Sequence, residues 1–371
     1  MKKAEKRNRF AESDSGSVRG KVLFLPKWLG NPYLHLLSQG VEGAGWDVVF
    51  DHYPEGKLAV LKAVRIHSAV KAVHLHWTQP LYEVYLWRMG TLRFRLKATL
   101  LLLDIWLTRL SGRRVIWTVH NQVSHESSNA AREILLNRML SIASTRMIFH
   151  SENAQKEFEK QINRSISCKS SVIPHGNYIG WYSESCELDK VLRTKFGLVE
   201  NNIVLLVFGA VRRYKGIPAL LEAFSRTRNK HLRLIVAGRP FDDDLLGEIE
   251  SLAEKDARIK LHLGFIPDEE VAPLFSISDA ALFGFERTLT SGSALLGMSF
   301  GLPLVMPDVA RVLGVASDEG AWFYSDFDKL TSLFDGFNLK EAKEKGAENR
   351  KAAEKLDWSM IGDSAAKLYA D

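Results

Sequence analysis

Cysteine is nearly absent. Cys168 and Cys186 are the only two in 371 residues. They make no disulfide framework and no metal-ligand spacing, which fits a reducing cytoplasm. Long apolar runs are lacking as well. The longest lies near ATLLLLDIWL, 98–107, and Asp104 interrupts it, whereas a bilayer-spanning helix needs about 20 apolar residues. A secretory leader is not expected, because AESDSGS follows MKKAEKRNRF where an apolar core would have to stand. Residues 1–19 read as a disordered lead-in. No repeat of fixed short period is visible.

What is present is ordinary for a soluble globular protein: 46% hydrophobic and 25% charged residues. The length accommodates two domains. The formal charge of +6 suits an anionic partner, although part of it sits in the first ten residues. Basic residues are not interleaved with base-stacking aromatics, so a nucleic-acid partner is not expected.

Short apolar runs alternate with amphipathic stretches. KVLFLP (21–26), WDVVF, AVHLHW (72–77), RRVIWTVHN (113–121), RMIFHS (146–151) and SSVIPHG (170–176) read as strands. After about residue 185 the pattern restarts with NNIVLLVFGA, HLRLIVAGRP, RIKLHLGFI, DAALFGF and LPLVMPD. Strands of this kind separated by helices predict parallel sheets covered on both faces. The expected fold class is α/β, with two doubly wound Rossmann-like domains facing a cleft. The expected divisions are 20–185, 186–345 and a terminal helical segment, 346–371. Ligands of such sheets bind beyond the carboxyl ends of strands.

In VLLVFGAVRRYKGIPALLEAF, 204–224, Arg212, Arg213 and Lys215 crowd the seam between strand and helix. The stretch is neither a P-loop nor a GxGxxG fingerprint. Still, the free amides and dipole of a helix start attract anions, and arginine can grip two phosphate oxygens at once. A solvated basic loop is the alternative. Further on, Ser291, Gly292 and Ser293 precede ALLGMSF. They either cap that helix or leave its amides open to a second phosphate.

Taken together, FGAVRRYKG (208–216), RLIVAGRP (233–240), KLHLGFIPDEEVAPLFSISDAALF (260–283), SGSALLGMSFGLPLV (291–305), WTVHN (117–121), IPHGNY (173–178) and LDWSMIGDSAAKLY (356–369) resemble motifs of the GT-B glycosyltransferases. The likeness is to family 4 and related bacterial exopolysaccharide enzymes. It implies a hexosyltransferase using a nucleotide-diphosphate sugar, with UDP or GDP as the nucleotide. The implied acceptor is a lipid-linked or polysaccharide intermediate, and no metal cofactor is implied. Arg212, Lys215, Ser291, Gly292 and Ser293 would hold the donor diphosphate, and Gly238, Phe265 and Ile266 the nucleotide. His120 would face the donor sugar. Gly30, Asn31, His76 and His175 would lie on the acceptor side, and the last helix would cross back to the N-terminal domain. One departure stands out. The family's glutamate pair is replaced by Thr288 and Leu296, with Glu286 displaced by two residues, so Glu286 is the candidate catalytic carboxylate.

Other polar residues are weaker candidates. Glu126 is a possible base. His74, His76, His120 and His125 lack a zinc-ligand spacing. The D-x-D within FDDDLL, 241–246, reads as a helix cap. The segment 85–110 carries Arg88, Arg93, Arg95 and Lys97 among large apolar side chains. It reads either as an interfacial helix on an anionic inner-leaflet surface or as a buried helix. Rival functions are a sugar-nucleotide 2-epimerase and a non-catalytic assembly partner.

Overall fold

The computed structural model describes residues 18–28, 30–82, 90–120, 130–285 and 292–370. Two six-stranded sheets organise them. The first contains β1 (Gly20–Leu25), β2 (Trp46–Phe50), β3 (Val70–Leu75), β4 (Arg114–Thr118), β5 (Arg146–Phe149) and β6 (Ser170–Val172), in the order β2-β1-β3-β4-β5-β6. The second contains β7 (Ile203–Phe208), β8 (Leu232–Gly238), β9 (Ile259–Leu263), β10 (Ala280–Leu282), β11 (Leu304–Pro307) and β12 (Ala321–Tyr324), in the order β12-β11-β10-β7-β8-β9.

Helices run between the strands. In the first half they are α1 (Pro32–Gly43), α2 (Ala59–Ile66), α3 (Gln79–Tyr82), α4 (Thr91–Leu110), α5 (Ala130–Ala143) and α6 (Glu152–Ile162). Then come α7 (Cys186–Lys195), α8 (Ile217–Ser225), α9 (Asp243–Glu254), α10 (Asp268–Ser276) and α11 (Gly292–Ser299). The chain closes with α12 (Phe327–Asp335), α13 (Leu339–Glu354) and α14 (Trp358–Ala370). This is the doubly wound α/β class expected from the alternation of runs. Its strands are apolar on both faces because helices cover both faces; in β7, Ile203 to Val207 are all buried.

Contacts gather the chain into two compact units. One holds the chain up to Thr118, Met139–Ile148 and the residues from Trp358 onward; the other holds Val119–Arg138 and Phe149–Asp357. In the first unit α1 starts at Asn31, whose side-chain oxygen accepts the Tyr33 N–H at 3.0 Å. Pro32 follows at the first helical position, where its missing N–H costs nothing. Helix α14 lies against α1 at two glycines. A Cβ on Gly40 would fall 2.0 Å from the Trp358 carbonyl oxygen, and one on Gly362 would fall 2.1 Å from the Gly40 backbone. Only hydrogen side chains permit that approach.

Helix α4 buries Phe94, Ala98, Ile105 and Thr108. Asp104 turns inward with them. Its carboxylate accepts the Val60 and Leu61 N–H groups at 2.9 and 2.8 Å and so caps α2, whose Leu58 supplies no capping side chain. The segment is thus neither wholly buried nor charged on one clean side. Its outward residues include Leu92, Leu96, Leu103, Trp106 and Leu110, with Leu92 82% and Leu110 77% exposed. No described helix is long and apolar enough to cross a membrane.

In the second unit Leu205, Val207, Ile217, Leu220, Phe224, Leu234 and Val236 form part of one continuous core. Each such side chain, fully buried, contributes about 1.5–3 kcal/mol. That rigidity holds the loops at the carboxyl ends of β7, β8 and β10.

Candidate functional site

The strand order of the second sheet reverses beside β7. The chain lays β8 and β9 to one side, then returns to place β10 on the other. Such a switch point leaves a crevice between the outgoing connections, and ligands of open α/β sheets bind there. A recess of about 130 Å³ lies at this spot. Its lining includes Val207 and Phe208 from the end of β7, Leu282 to Phe285 from the end of β10, Tyr214, Lys215, Gly292 and Ser293.

The polar groups converge because of the backbone between them. After β7 the chain passes Gly209, a short 3-10 turn over Arg213–Lys215, and Gly216, which has φ +61°. A Cβ on Gly216 would sit 2.4 Å from the Gly284 carbonyl oxygen, so the turn can press against the end of β10 only with glycine there. Lys215 is thereby folded back toward β7, where its ammonium donates to the Phe208 carbonyl at 3.5 Å. Lys215 Nζ and Ser293 Oγ each lie 3.1 Å from the point a Gly209 Cβ would occupy. Ser293 belongs to the first turn of α11, whose leading amides have no intrahelical acceptor. Burial, then the neighbouring Arg212 charge, pulls the Lys215 pKa from 10.5 down to about 8.

The two arginines of the seam part company. Arg213 points away to α9 and bonds Asp242 at 3.0 Å, with Glu248 at 3.6 Å. Asp242 caps α9 through the Leu245 N–H, the capping role expected of FDDDLL. Arg212 instead lies over the Phe241 ring at 4.2 Å, and Arg239 lies over the same ring at 5.4 Å. Gly238 ends β8, and its carbonyl accepts the Gly264 N–H at 3.0 Å. That bond brings the β9 end alongside, with Phe265 78% exposed and Ile266 half-buried next to it.

The histidines separate by unit. In the first, His76 is 1% exposed, its ring tilted 33° against that of His74 at 4.1 Å and packed on Phe24 and Tyr33. His74 sits between the Tyr369 hydroxyl at 2.8 Å and the Thr118 hydroxyl at 2.7 Å. Gly30 is exposed, and Asn31 is engaged as the α1 cap. In the second unit His120, just past β4, has its ring 5.3 Å from His150, just past β5. His150 is 5.4 Å from His175, past β6, and His175 is 5.6 Å from the Tyr178 ring. The Nδ1–H groups of His150 and His175 donate to the carbonyls of Ile173 at 3.0 Å and Gly176 at 2.8 Å. Burial lowers the pKa of His150 to about 4; burial and the His150 charge lower that of His175 to about 3.

Glu286, Ser291, Thr288, Arg88, His125 and Glu126 lie outside the described residues. Among the described ones, no group of three or more His, Cys, Asp or Glu side chains could hold a metal ion. Sequence reasoning passed over His150, Tyr178 and Arg239. A signal for the first was available: three apolar runs of the first half, ending TVH, IFH and IPH, each close on a histidine.

Comparison with known proteins agrees with this architecture. Residues 202–332, which supply β7 to β12 and the recess, match the family described as Glycosyl transferases group 1. A GDP-mannose:glycolipid 4-beta-D-mannosyltransferase of Xanthomonas campestris pv. campestris is 26% identical over 348 residues, covering 92% of this chain and 88% of that protein. The crystal structure of Anabaena HepE in complex with UDP-glucose superposes with a TM-score of 0.73 at 14% identity, covering 95% of this chain and 100% of that one. WaaG, a glycosyltransferase involved in lipopolysaccharide biosynthesis, superposes with a TM-score of 0.62 at 13% identity, covering 94% and 99%. The architecture is GT-B. The chain is a glycosyltransferase, and the group it moves is a hexosyl unit.

Proposed function

We propose that the donor is a nucleoside-diphosphate hexose, with UDP or GDP as its nucleotide, and that its diphosphate occupies the recess beside β7 and β10. The observation that carries this reading is that Lys215 Nζ and Ser293 Oγ flank one point beside Gly209, each 3.1 Å from it, in the recess at the switch point of the sheet. A diphosphate there is met by one ammonium and the leading amides of Gly292 and Ser293, with Arg212 nearby. The nucleoside lies toward Gly238, Phe265 and Ile266. As the glycosidic bond breaks, negative charge grows on the departing diphosphate. Fixed positive groups stabilise that charge more than the ground state, and in this reading they do so without a metal cofactor. His120 contacts the sugar, as a hydrogen-bond donor or base. HepE's complex with UDP-glucose and the relative's GDP-mannose support the two nucleotide choices. A thermal-shift panel of UDP-, GDP- and dTDP-nucleotides tests the reading, since a ligand of the folded state raises its stability. No shift with any of them would refute it.

For the acceptor we propose a lipid-linked saccharide, recognised on the unit that holds Gly30, Asn31 and His76, at an anionic membrane surface. The outer face of α4 supports this. Leu92, Leu96, Leu103, Trp106 and Leu110 recur at helical spacing, with Arg93, Arg95 and Lys97 exposed beside them. The helix's single carboxylate, Asp104, is turned inward to cap α2. An apolar stripe flanked by cations and free of acids complements anionic headgroups.

A further inference from the structure

We propose that Tyr178 is a positioning residue: a strut that fixes helix α11, and with it the amides that meet the donor diphosphate, in register with the histidine row ending at His120. The inference rests on the donor reading above and adds the element that holds that site in place.

Tyr178 grips α11 at both ends. Its backbone N–H donates to Ser299 Oγ at 2.9 Å, and Ser299, in the last turn, donates to the Leu295 carbonyl at 2.7 Å. Its hydroxyl reaches the first turn, where a Cβ on Gly292 would lie 3.3 Å from the phenolic oxygen. An eight-residue helix is about 12 Å long, so one residue spans most of it. The strut is itself braced. The Tyr178 hydroxyl donates to His175 Nε2 at 3.4 Å, and the His175 Nδ1–H is committed to the Gly176 carbonyl. That commitment leaves Nε2 as the acceptor in the neutral ring. His150, fixed through the Ile173 carbonyl, packs on His175 and then on His120. Within the second unit the row runs from His120 through His150 and His175 to Tyr178 and α11, and backbone carbonyls set the orientation of the two middle rings. Gly292 lies against the same contact: a Cβ there would crowd the hydroxyl at 3.3 Å.

The test measures binding of UDP, GDP, UMP and GMP by calorimetry to the full chain. Tyr178→Phe keeps the ring and removes the oxygen. It is expected to weaken the diphosphate that the wild type binds by about threefold to tenfold, the range of one lost hydrogen bond, and to leave the monophosphate unchanged. Gly292→Ala puts a methyl group against the hydroxyl and is expected to weaken the same diphosphate by about tenfold. In the double variant the methyl group meets no oxygen, so its loss should be smaller than the product of the two single losses. Multiplying losses, or diphosphate binding by Tyr178→Phe equal to wild type, would overturn the strut alone. Failure of the wild type to bind either diphosphate would overturn the donor reading and the strut together. If Gly292→Ala does not fold, the Tyr178→Phe comparison decides.

Discussion

Removing the Lys215 ammonium perturbs one contact in a confined place. Lys215→Ala deletes the charge that faces Ser293 and the start of α11 but leaves the turn closed by Gly216. A hydrogen bond to a charged group is worth about 1.5–3 kcal/mol, so the nucleoside diphosphate should bind about 10- to 150-fold more weakly. The corresponding monophosphate, lacking the phosphate that reaches Lys215, should lose far less. The pH profile adds an independent sign. Burial, and secondarily Arg212, hold the Lys215 pKa at about 8. Diphosphate affinity should therefore fall above pH 8, by about tenfold per unit while the complex keeps its proton. Folding stability should move the opposite way. Between pH 8 and 10.5 the unfolded chain binds the proton that the folded chain has released, so stability rises with pH. Lys215→Ala should flatten both curves. Calorimetry with UDP and GDP from pH 6.5 to 9.5, with thermal melts alongside, measures them. Wild-type diphosphate affinity in the variant, or affinity flat through pH 9.5 in the wild type, would refute this placement of the diphosphate.

Three further outcomes are expected. His120→Ala should lower turnover by about 10²–10⁴ if the imidazole takes part in proton transfer, with nucleotide affinity largely kept; near-normal turnover in a folded variant would leave His120 a packing role only. Acid should destabilise the second unit as pH falls from 6.5 toward 4, because the unfolded chain then protonates His150 and His175 while burial keeps them neutral in the fold. For His150 that amounts to about 3 kcal/mol at 1.36 kcal/mol per unit, and His150→Asn should shrink it in urea titrations at pH 7 and pH 4.5. The α4 face should sediment with anionic vesicles, more weakly as salt rises, since each basic residue contributes about 1 kcal/mol and is screened. Gln in place of Arg93, Arg95 and Lys97 should abolish most of that binding, and binding indifferent to those changes would refute the membrane reading of this face.

Much of the architecture was legible because it is written locally. A strand covered on both faces must be apolar throughout, and IVLLVF declares that without reference to anything distant. Helix starts are declared by short-range capping, as at Asn31 and Asp242. The expectation of an anion at the basic seam, 209–216, is local for the same reason: glycine, cations and a helix start are adjacent in sequence. What three-dimensional packing alone decided is which neighbour does what. Arg212 and Arg213 are equivalent on paper, yet α9, some 30 residues on, claims Arg213 and leaves Arg212 on Phe241. Asp104 breaks an apolar run in sequence, but in space it is the cap that α2 lacks, and its removal from the surface leaves the outer face of α4 without acid. His120, His150 and His175 stand about 30 and 25 residues apart. Only the pairing of parallel strands, whose ends align at one edge of a sheet, brings their rings into one row.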